Sequence, residues 1–146
     1  MTRSAFRTAA AAAAVISLLG SGSAAVAKPG GTPAVPLNTA QEVTGSNTGA
    51  SGFFSYTISG DQLCYTLEAR DLSVSAAAAH IHFAPRNQAG GVVVPLTVGA
   101  GTDWVVQACA TADPALLAAI AESPRSYYVN VHTATFPGGE IRGQLK

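Results

Sequence analysis

The three histidines of this chain are its best candidates for chemistry, and they fall in two short segments. His80 and His82 are separated by a single residue, and His132 lies much further along the chain. Side chains alternate along a β-strand, so His80 and His82 would lie on one face of a strand. If the two segments pair as neighbouring strands, the three imidazoles converge. Neutral imidazoles suit copper first and zinc second, so the spacing predicts a mononuclear site of His80, His82 and His132.

Polar residues on the same strand faces are candidates to support the histidines. Asn130 shares the face of His132, and Glu140 and Arg142 share one face of the closing segment. One interpretation is that Asn130, Glu140 and Arg142 orient the histidines through hydrogen bonds. For Glu140 and Arg142 we favour a simpler one, an ion pair on the surface worth about 0–1 kcal/mol. A further alternative is that the histidines bind no metal and hydrogen-bond Asn130, Thr133, Glu140 or the backbone, which would hold the sheet together.

Short strands separated by turns must position these residues. Most segments alternate between apolar and polar residues, and Gly60-Asp61 is typical of a hairpin turn. A helix is predicted after the N-cap Asp113, beginning with Pro114 and ending before Pro124, and Pro95 indicates an edge strand or a bulge. The predicted strands are Phe53–Ser59, Leu63–Leu67, Ala79–Phe83, Val92–Val98, Trp104–Cys109, Tyr127–Thr133 and Glu140–Leu145. We therefore expect an all-β, antiparallel, Greek-key-like sandwich or barrel with one short helix.

The first residues of the chain have the pattern of a secretory signal peptide. Arg3 and Arg7 precede an apolar run of about 11 residues, which is too short to span a bilayer that needs about 20. The small residues Ala25-Val26-Ala27 then predict cleavage after Ala27. We therefore divide the chain into a signal peptide (1–27), a flexible lead-in (28–35) and one domain (36–146), and we expect secretion into an extracellular or periplasmic space.

Export determines how the charges and the two cysteines are interpreted. Without Arg3 and Arg7 the chain has six basic and eight acidic residues, a net charge of −2. Such a protein has no electrostatic reason to bind nucleic acid or an anionic membrane. In an oxidising compartment Cys64 and Cys109 are expected to form one disulfide, since they lack the CxxC spacing of a redox pair. We expect a monomer with no membrane attachment after cleavage.

Several motifs together resemble one known family. They are Leu37-Asn38-Thr39-Ala40-Gln41-Glu42-Val43, Ala79-His80-Ile81-His82, Gly90-Gly91, Tyr128-Val129-Asn130-Val131-His132-Thr133 and Pro137-Gly138-Gly139-Glu140-Ile141-Arg142-Gly143-Gln144-Leu145. Across the mature chain this set resembles the CHRD (chordin) domain. The resemblance implies an extracellular domain, because similar domains occur alone in secreted microbial proteins, but it implies no particular activity.

Two functions follow from these observations, and they belong to different classes. The first is a non-catalytic extracellular binding module whose partner is an extracellular protein or a polysaccharide. The second is a copper or zinc protein that uses the three histidines. We expect no enzymatic activity, because the chain has no Gly-x-Ser-x-Gly motif and no other catalytic motif that we identify.

Overall fold

The computed structural model describes Met1 and residues 34–146, in which the main element is an eight-stranded antiparallel sheet. Its strands are β1 (Val35–Asn38), β2 (Ser51–Ser59), β3 (Gln62–Arg70), β4 (Ala76–Phe83), β5 (Gly91–Leu96), β6 (Trp104–Thr111), β7 (Tyr127–Thr133) and β8 (Ile141–Gln144). One helix, α1 (Pro114–Glu122), follows β6, and short 3₁₀ turns span Thr39–Gln41 and Pro124–Ser126. The predicted signal peptide, apart from Met1, and the predicted lead-in up to residue 33 lie outside the described residues.

The strands follow the order β5-β4-β7-β8-β1-β2-β3-β6 across the sheet. The two edge strands, β5 and β6, also approach each other, so the sheet curls into a nearly closed barrel. The prediction of an all-β antiparallel fold with one short helix is confirmed, in the form of a barrel. No helix among the described residues is long and apolar enough to cross a membrane.

Apolar side chains from every second position of the strands fill the barrel interior. In the β2–β3 hairpin Phe54 pairs with Leu67 and Tyr56 pairs with Tyr65, and these four side chains are buried. Gly60 has a φ of +60° at the predicted turn, a conformation that glycine adopts without strain. Because successive residues point to opposite faces, each inward row leaves an outward row on the same strand, which in β2 is polar except for the exposed Phe53.

The helix begins and ends where its capping residues predict. The Asp113 side chain accepts a hydrogen bond of 2.7 Å from the backbone N–H of Ala115, and Pro114 occupies the first turn. Leu117 and Ile120 are fully buried and belong to the core of the barrel. The helix therefore contributes its apolar residues to the same core as the strands.

Two strands, β1 and β5, contain a proline, and the sequence predicted only β5. β5, with Pro95, is an edge strand with a register shift opposite Ile81 and His82, so both predicted features are present. β1 contains Pro36 and was not predicted from alternation. Its first residue, Val35, is fully buried and pairs with Phe54, although our division of the chain placed it at the end of the lead-in.

A disulfide joins Cys64 to Cys109, as the sequence predicts. The two residues face each other directly in the β3–β6 ladder, on the outer face of the barrel. Cys64 is half-buried and Cys109 is exposed. The disulfide therefore fastens the edge strand β6 to the rest of the sheet.

Candidate metal centre

Pairing of β4 with β7 brings the three histidines together. His80 pairs with Asn130 and His82 pairs with Tyr128. His132, two residues after Asn130, pairs with Ala78 on the other side of His80. One ring nitrogen from each histidine can be chosen so that all three lie within 4.8 Å of one another. We call the outer side of β4 and β7 that carries these three residues the histidine face. The predicted convergence of the imidazoles is confirmed.

Backbone carbonyls orient two of the three rings. Nδ1 of His82 lies 2.9 Å from the carbonyl oxygen of Gly90, and Nδ1 of His132 lies 2.9 Å from that of Pro137. A carbonyl oxygen only accepts a hydrogen bond, so each Nδ1 must carry the proton and each Nε2 keeps its lone pair. Nε2 of His132 is 3.0 Å from Nδ1 of His80, whereas Nε2 of His82 is buried without a hydrogen-bond partner.

The environment of the histidine face favours neutral imidazoles. Burial lowers the pKa of His80, His82 and His132, because a charged ring loses hydration there. Neighbouring charge lowers the pKa of each ring further: His82 acts on His80, and Arg142 acts on His82. Hydrogen bonds to the carbonyls of Gly90 and Pro137, together with the neighbouring Asn130 amide, only partly offset these effects. Neutral imidazole is the form that binds a metal ion.

A buried cation lies next to the histidine face. The Tyr128 ring stacks on His82 with centroids 4.7 Å apart and planes 4° from parallel. The guanidinium carbon of Arg142, a residue only 1% exposed, lies 3.3 Å from the centroid of the Tyr128 ring. Burial lowers the pKa of Arg142, but an arginine side chain remains charged in proteins. Tyr128 therefore separates His82 from a fixed positive charge and contacts both.

Arg142 also fastens a loop beside the histidines. It donates hydrogen bonds of 2.7 Å to the carbonyl of Gln88 and 3.0 Å to that of Pro85, both in the loop between β4 and β5. Gly90, at the end of this loop, donates from its backbone N–H to Tyr128 and accepts from His82. The loop that orients His82 is thus itself held by a buried arginine.

The predicted surface ion pair between Glu140 and Arg142 is wrong. Glu140 is fully buried and accepts hydrogen bonds from neutral donors: Thr48 Oγ1, Ser73 N, Ser73 Oγ and Thr133 Oγ1, each at 2.8 Å. Burial raises the pKa of the Glu140 carboxyl, but these hydrogen bonds outweigh it and the net shift is downward. Glu140 joins three chain segments and makes no hydrogen bond to a histidine.

Asn130 is fully buried between His80 on one side and Arg142 on the other. Close to it lies Glu42, whose carboxyl pKa is raised by burial and only partly lowered by Asn130 and Arg142. Oδ1 of Asn130 and Oε1 of Glu42 are both buried without hydrogen-bond partners. Of the three supporting residues predicted, Asn130 and Arg142 lie beside the histidine face and Glu140 supports it only through Thr133, next to His132.

Sequence reasoning missed Tyr128, Glu42 and the carbonyls of Gly90 and Pro137. Alternation did place Tyr128 on the face of His132, but nothing in its residue type distinguishes a stacking partner from an ordinary sheet residue. The two carbonyls belong to loops, and a sequence pattern does not show where the backbone of a loop returns to the sheet.

Comparison with known proteins gives one match. A family model described as "CHRD domain" matches residues 34–145, which include all eight strands and all three histidines. Neither the curated proteins nor the solved structures contain a significant match to the chain.

Proposed function

This chain belongs to the CHRD domain family, and we propose that it is an extracellular domain that binds one copper or zinc ion through His80, His82 and His132. The observation that carries the proposal is the buried Nε2 of His82, which has no hydrogen-bond partner although its ring is held in place from the other side. A buried polar atom without a partner is costly. A metal ion shared with His80 and His132 would satisfy it.

The distances between the nitrogens fit a single small ion. Zinc and copper bind imidazole nitrogen at about 2.0–2.1 Å, so two such ligands in a tetrahedral site lie about 3.3 Å apart. Nδ1 of His80 and Nε2 of His132 are 3.0 Å apart, and no pair in the group exceeds 4.8 Å. A closure of about 1–2 Å would bring the widest pair to the spacing expected around one ion. Without metal, the short contact between His80 and His132 is an ordinary hydrogen bond.

The surroundings of the rings have the features of a metal-ligand shell. A ligating histidine usually donates its other ring N–H to a carbonyl or carboxylate, as His82 and His132 do here. His80 and His132 are only half-buried, so an ion can reach the group from outside the barrel. Three protein ligands leave a fourth position for water or another molecule.

Copper is the stronger candidate of the two metals. Nitrogen ligands hold divalent copper more tightly than zinc, following the general affinity order of these ions. The Cys64–Cys109 disulfide supports an oxidising compartment, and we include secretion after cleavage at Ala27 in the proposal. The CHRD family is not known for enzymatic activity, which supports a binding module rather than a catalyst.

The test is the metal content of the purified protein, measured by mass spectrometry after loading with copper or zinc and dialysis. We expect about one ion per chain, lost in His80→Ala, His82→Ala and His132→Ala. Tyr127→Phe is the matched control, because Tyr127 lies on the same strand but faces the core and should not affect the metal. For bound copper, electron paramagnetic resonance should show coupling to nitrogen.

The second candidate is a binding module without metal, in which the histidines only hold the sheet together. The hydrogen bonds of His82 and His132 to backbone carbonyls and of His80 to His132 favour it. If the wild type retains no metal and the three alanine variants are merely less stable, this candidate replaces the metal proposal.

A further inference from the structure

A second cleft, which contains none of the three histidines, carries most of the positive charge of this mostly acidic domain. Arg86, Arg125 and Lys146 line a space of about 520 Å³ together with Asn38, Gln41 and Gln144. No acidic side chain lines it among the residues that the structure describes. The volume is in the range of clefts that bind small ligands or one unit of a polymer.

The distribution of charge makes this cleft unusual. The described residues include eight Asp and Glu but only five Lys and Arg, and three of these five line the cleft. The ion pair found in the described part of the chain is that of Arg70 with Glu68, so none of the three cleft cations is neutralised by an acidic side chain.

Hydrogen bonds hold the walls of the cleft in place. Nε2 of Gln144 donates to the carbonyl of Ala84 at 2.9 Å and to that of Arg125 at 2.8 Å, which joins two walls. Arg142 binds the carbonyls of Pro85 and Gln88, on either side of Arg86. The backbone positions from which Arg86 and Arg125 extend are therefore fixed before any ligand arrives, which reduces the entropic cost of binding.

We propose that this cleft binds the carboxylate or sulfate groups of an acidic polysaccharide. The planar guanidinium groups of Arg86 and Arg125 match the two oxygens of such a group, and charge-assisted hydrogen bonds of this kind are strong. Both N–H groups of the Gln144 amide are already used, so the amides of Asn38 and Gln41 are the ones that can donate to the hydroxyl groups of sugars. Positive charge at one place on a domain with an excess of acidic residues favours a ligand with local negative charge over a broad anionic surface.

A membrane surface fits the cleft less well. The large hydrophobic side chains of the barrel that are exposed outside it are Val43, Phe53, Val74, Phe83, Val92 and Val105. None of them lines the cleft, whose apolar lining residues are Pro36 and the buried Leu145, so its rim offers no large apolar side chain to insert into a bilayer. The site shares no side chain with the histidine face, and the inference therefore does not depend on metal binding.

The test uses the full protein and measures binding by calorimetry to polygalacturonate, which carries carboxylates, and to dextran sulfate. Neutral dextran, inorganic phosphate and anionic lipid vesicles are the comparison probes. We expect binding to at least one acidic polysaccharide, weaker at higher salt, with no binding to neutral dextran. The polymer that binds more tightly shows whether the cleft prefers a carboxylate or a sulfate group.

Arg86→Gln and Arg125→Gln should each weaken this binding about tenfold, the loss of one charge-assisted contact. Arg70→Gln is the matched control: it removes an exposed arginine away from the cleft and should leave binding unchanged. All three residues are exposed, so these substitutions should not disturb the core. An unchanged temperature of thermal unfolding will show that each variant folds. Equal loss in Arg70→Gln, equal binding of neutral dextran, or binding only to phosphate or to vesicles would overturn the proposal.

Discussion

Glu140 offers the sharpest test of how the polar outer layer stabilises the barrel. Its carboxylate is fully buried, has no basic partner and accepts four hydrogen bonds. Glu140→Ala leaves these donors without an acceptor, at about 1 kcal/mol each. We expect the free energy of unfolding to fall by about 4 kcal/mol, a large part of the roughly 5–15 kcal/mol of a typical domain.

Glu140→Gln should destabilise the protein much less than Glu140→Ala, because an amide can keep most of the hydrogen bonds of the carboxylate. Oε1 accepts from the backbone N–H of Ser73, which can only donate, so the amide oxygen must take this position. Oε2 accepts only from the hydroxyls of Ser73 and Thr133, and a hydroxyl can rotate to accept from the amide NH₂ instead. The remaining cost is the loss of charge assistance, about 1–2 kcal/mol.

Urea unfolding followed by circular dichroism measures both changes. At about 2 kcal/mol per molar urea, the alanine variant should unfold about 2 M earlier than the wild type and the glutamine variant about 0.5–1 M earlier. Ser73→Ala, which removes only the hydrogen bond of the Ser73 hydroxyl and keeps that of its backbone N–H, provides a one-bond reference of about 1 kcal/mol. Equal losses in Glu140→Gln and Glu140→Ala would show that charge, not hydrogen-bond geometry, is what the site requires, and would refute this reasoning.

Three further outcomes are expected. The pKa of Glu140 is lowered on folding, so its stabilisation is complete above its ordinary value of 4.5 and is lost as pH falls below it; Glu140→Gln should remove this acid sensitivity in urea titrations. Replacing Cys64 and Cys109 together by serine opens a link between residues 45 apart and should cost up to about 4 kcal/mol by calorimetry, while reduction of the wild type should cost the same. Arg142→Met removes the two side-chain hydrogen bonds to the carbonyls of Pro85 and Gln88 and leaves Pro85 only the bond from the backbone N–H of Gln88, so hydrogen exchange of the loop between β4 and β5 should accelerate while that of β2 and β3 stays unchanged.

The sequence predicts the fold well wherever one side of a strand faces the core. The hairpin of β2 and β3 and the strand β7 alternate clearly, and the cap at Asp113 defines the helix. β1 has only four residues, one of them Pro36, which is too short for alternation to be visible. It is placed by its neighbours: a Cβ atom on Gly143 of β8 would lie 2.6 Å from the carbonyl oxygen of Pro36, so glycine is required for the two strands to approach.

For the candidate site, too, alternation predicts which residues share a face but not what covers that face. Alternation correctly grouped His80, His82 and His132 on one face, because a ladder transmits register over long sequence distances. It did not show what covers that face, so Glu140 and Arg142 were assigned to solvent although both are buried. Their partners lie in loops, whose paths depend on the complete structure.

The position of β8 in the sheet has a consequence for the order in which this protein forms. β8 is the last strand in the sequence, yet it lies between β7 and β1, near the middle of the sheet. During synthesis, β2, β3 and β6 can pair early, whereas β1 and β7 stay apart until residues 141–144 have left the ribosome. Arg142 arrives with this strand, so the loop beside His82 gains its anchor at the same late moment. A nascent chain that lacks these few residues has no continuous sheet, and the loop that orients His82 has no anchor.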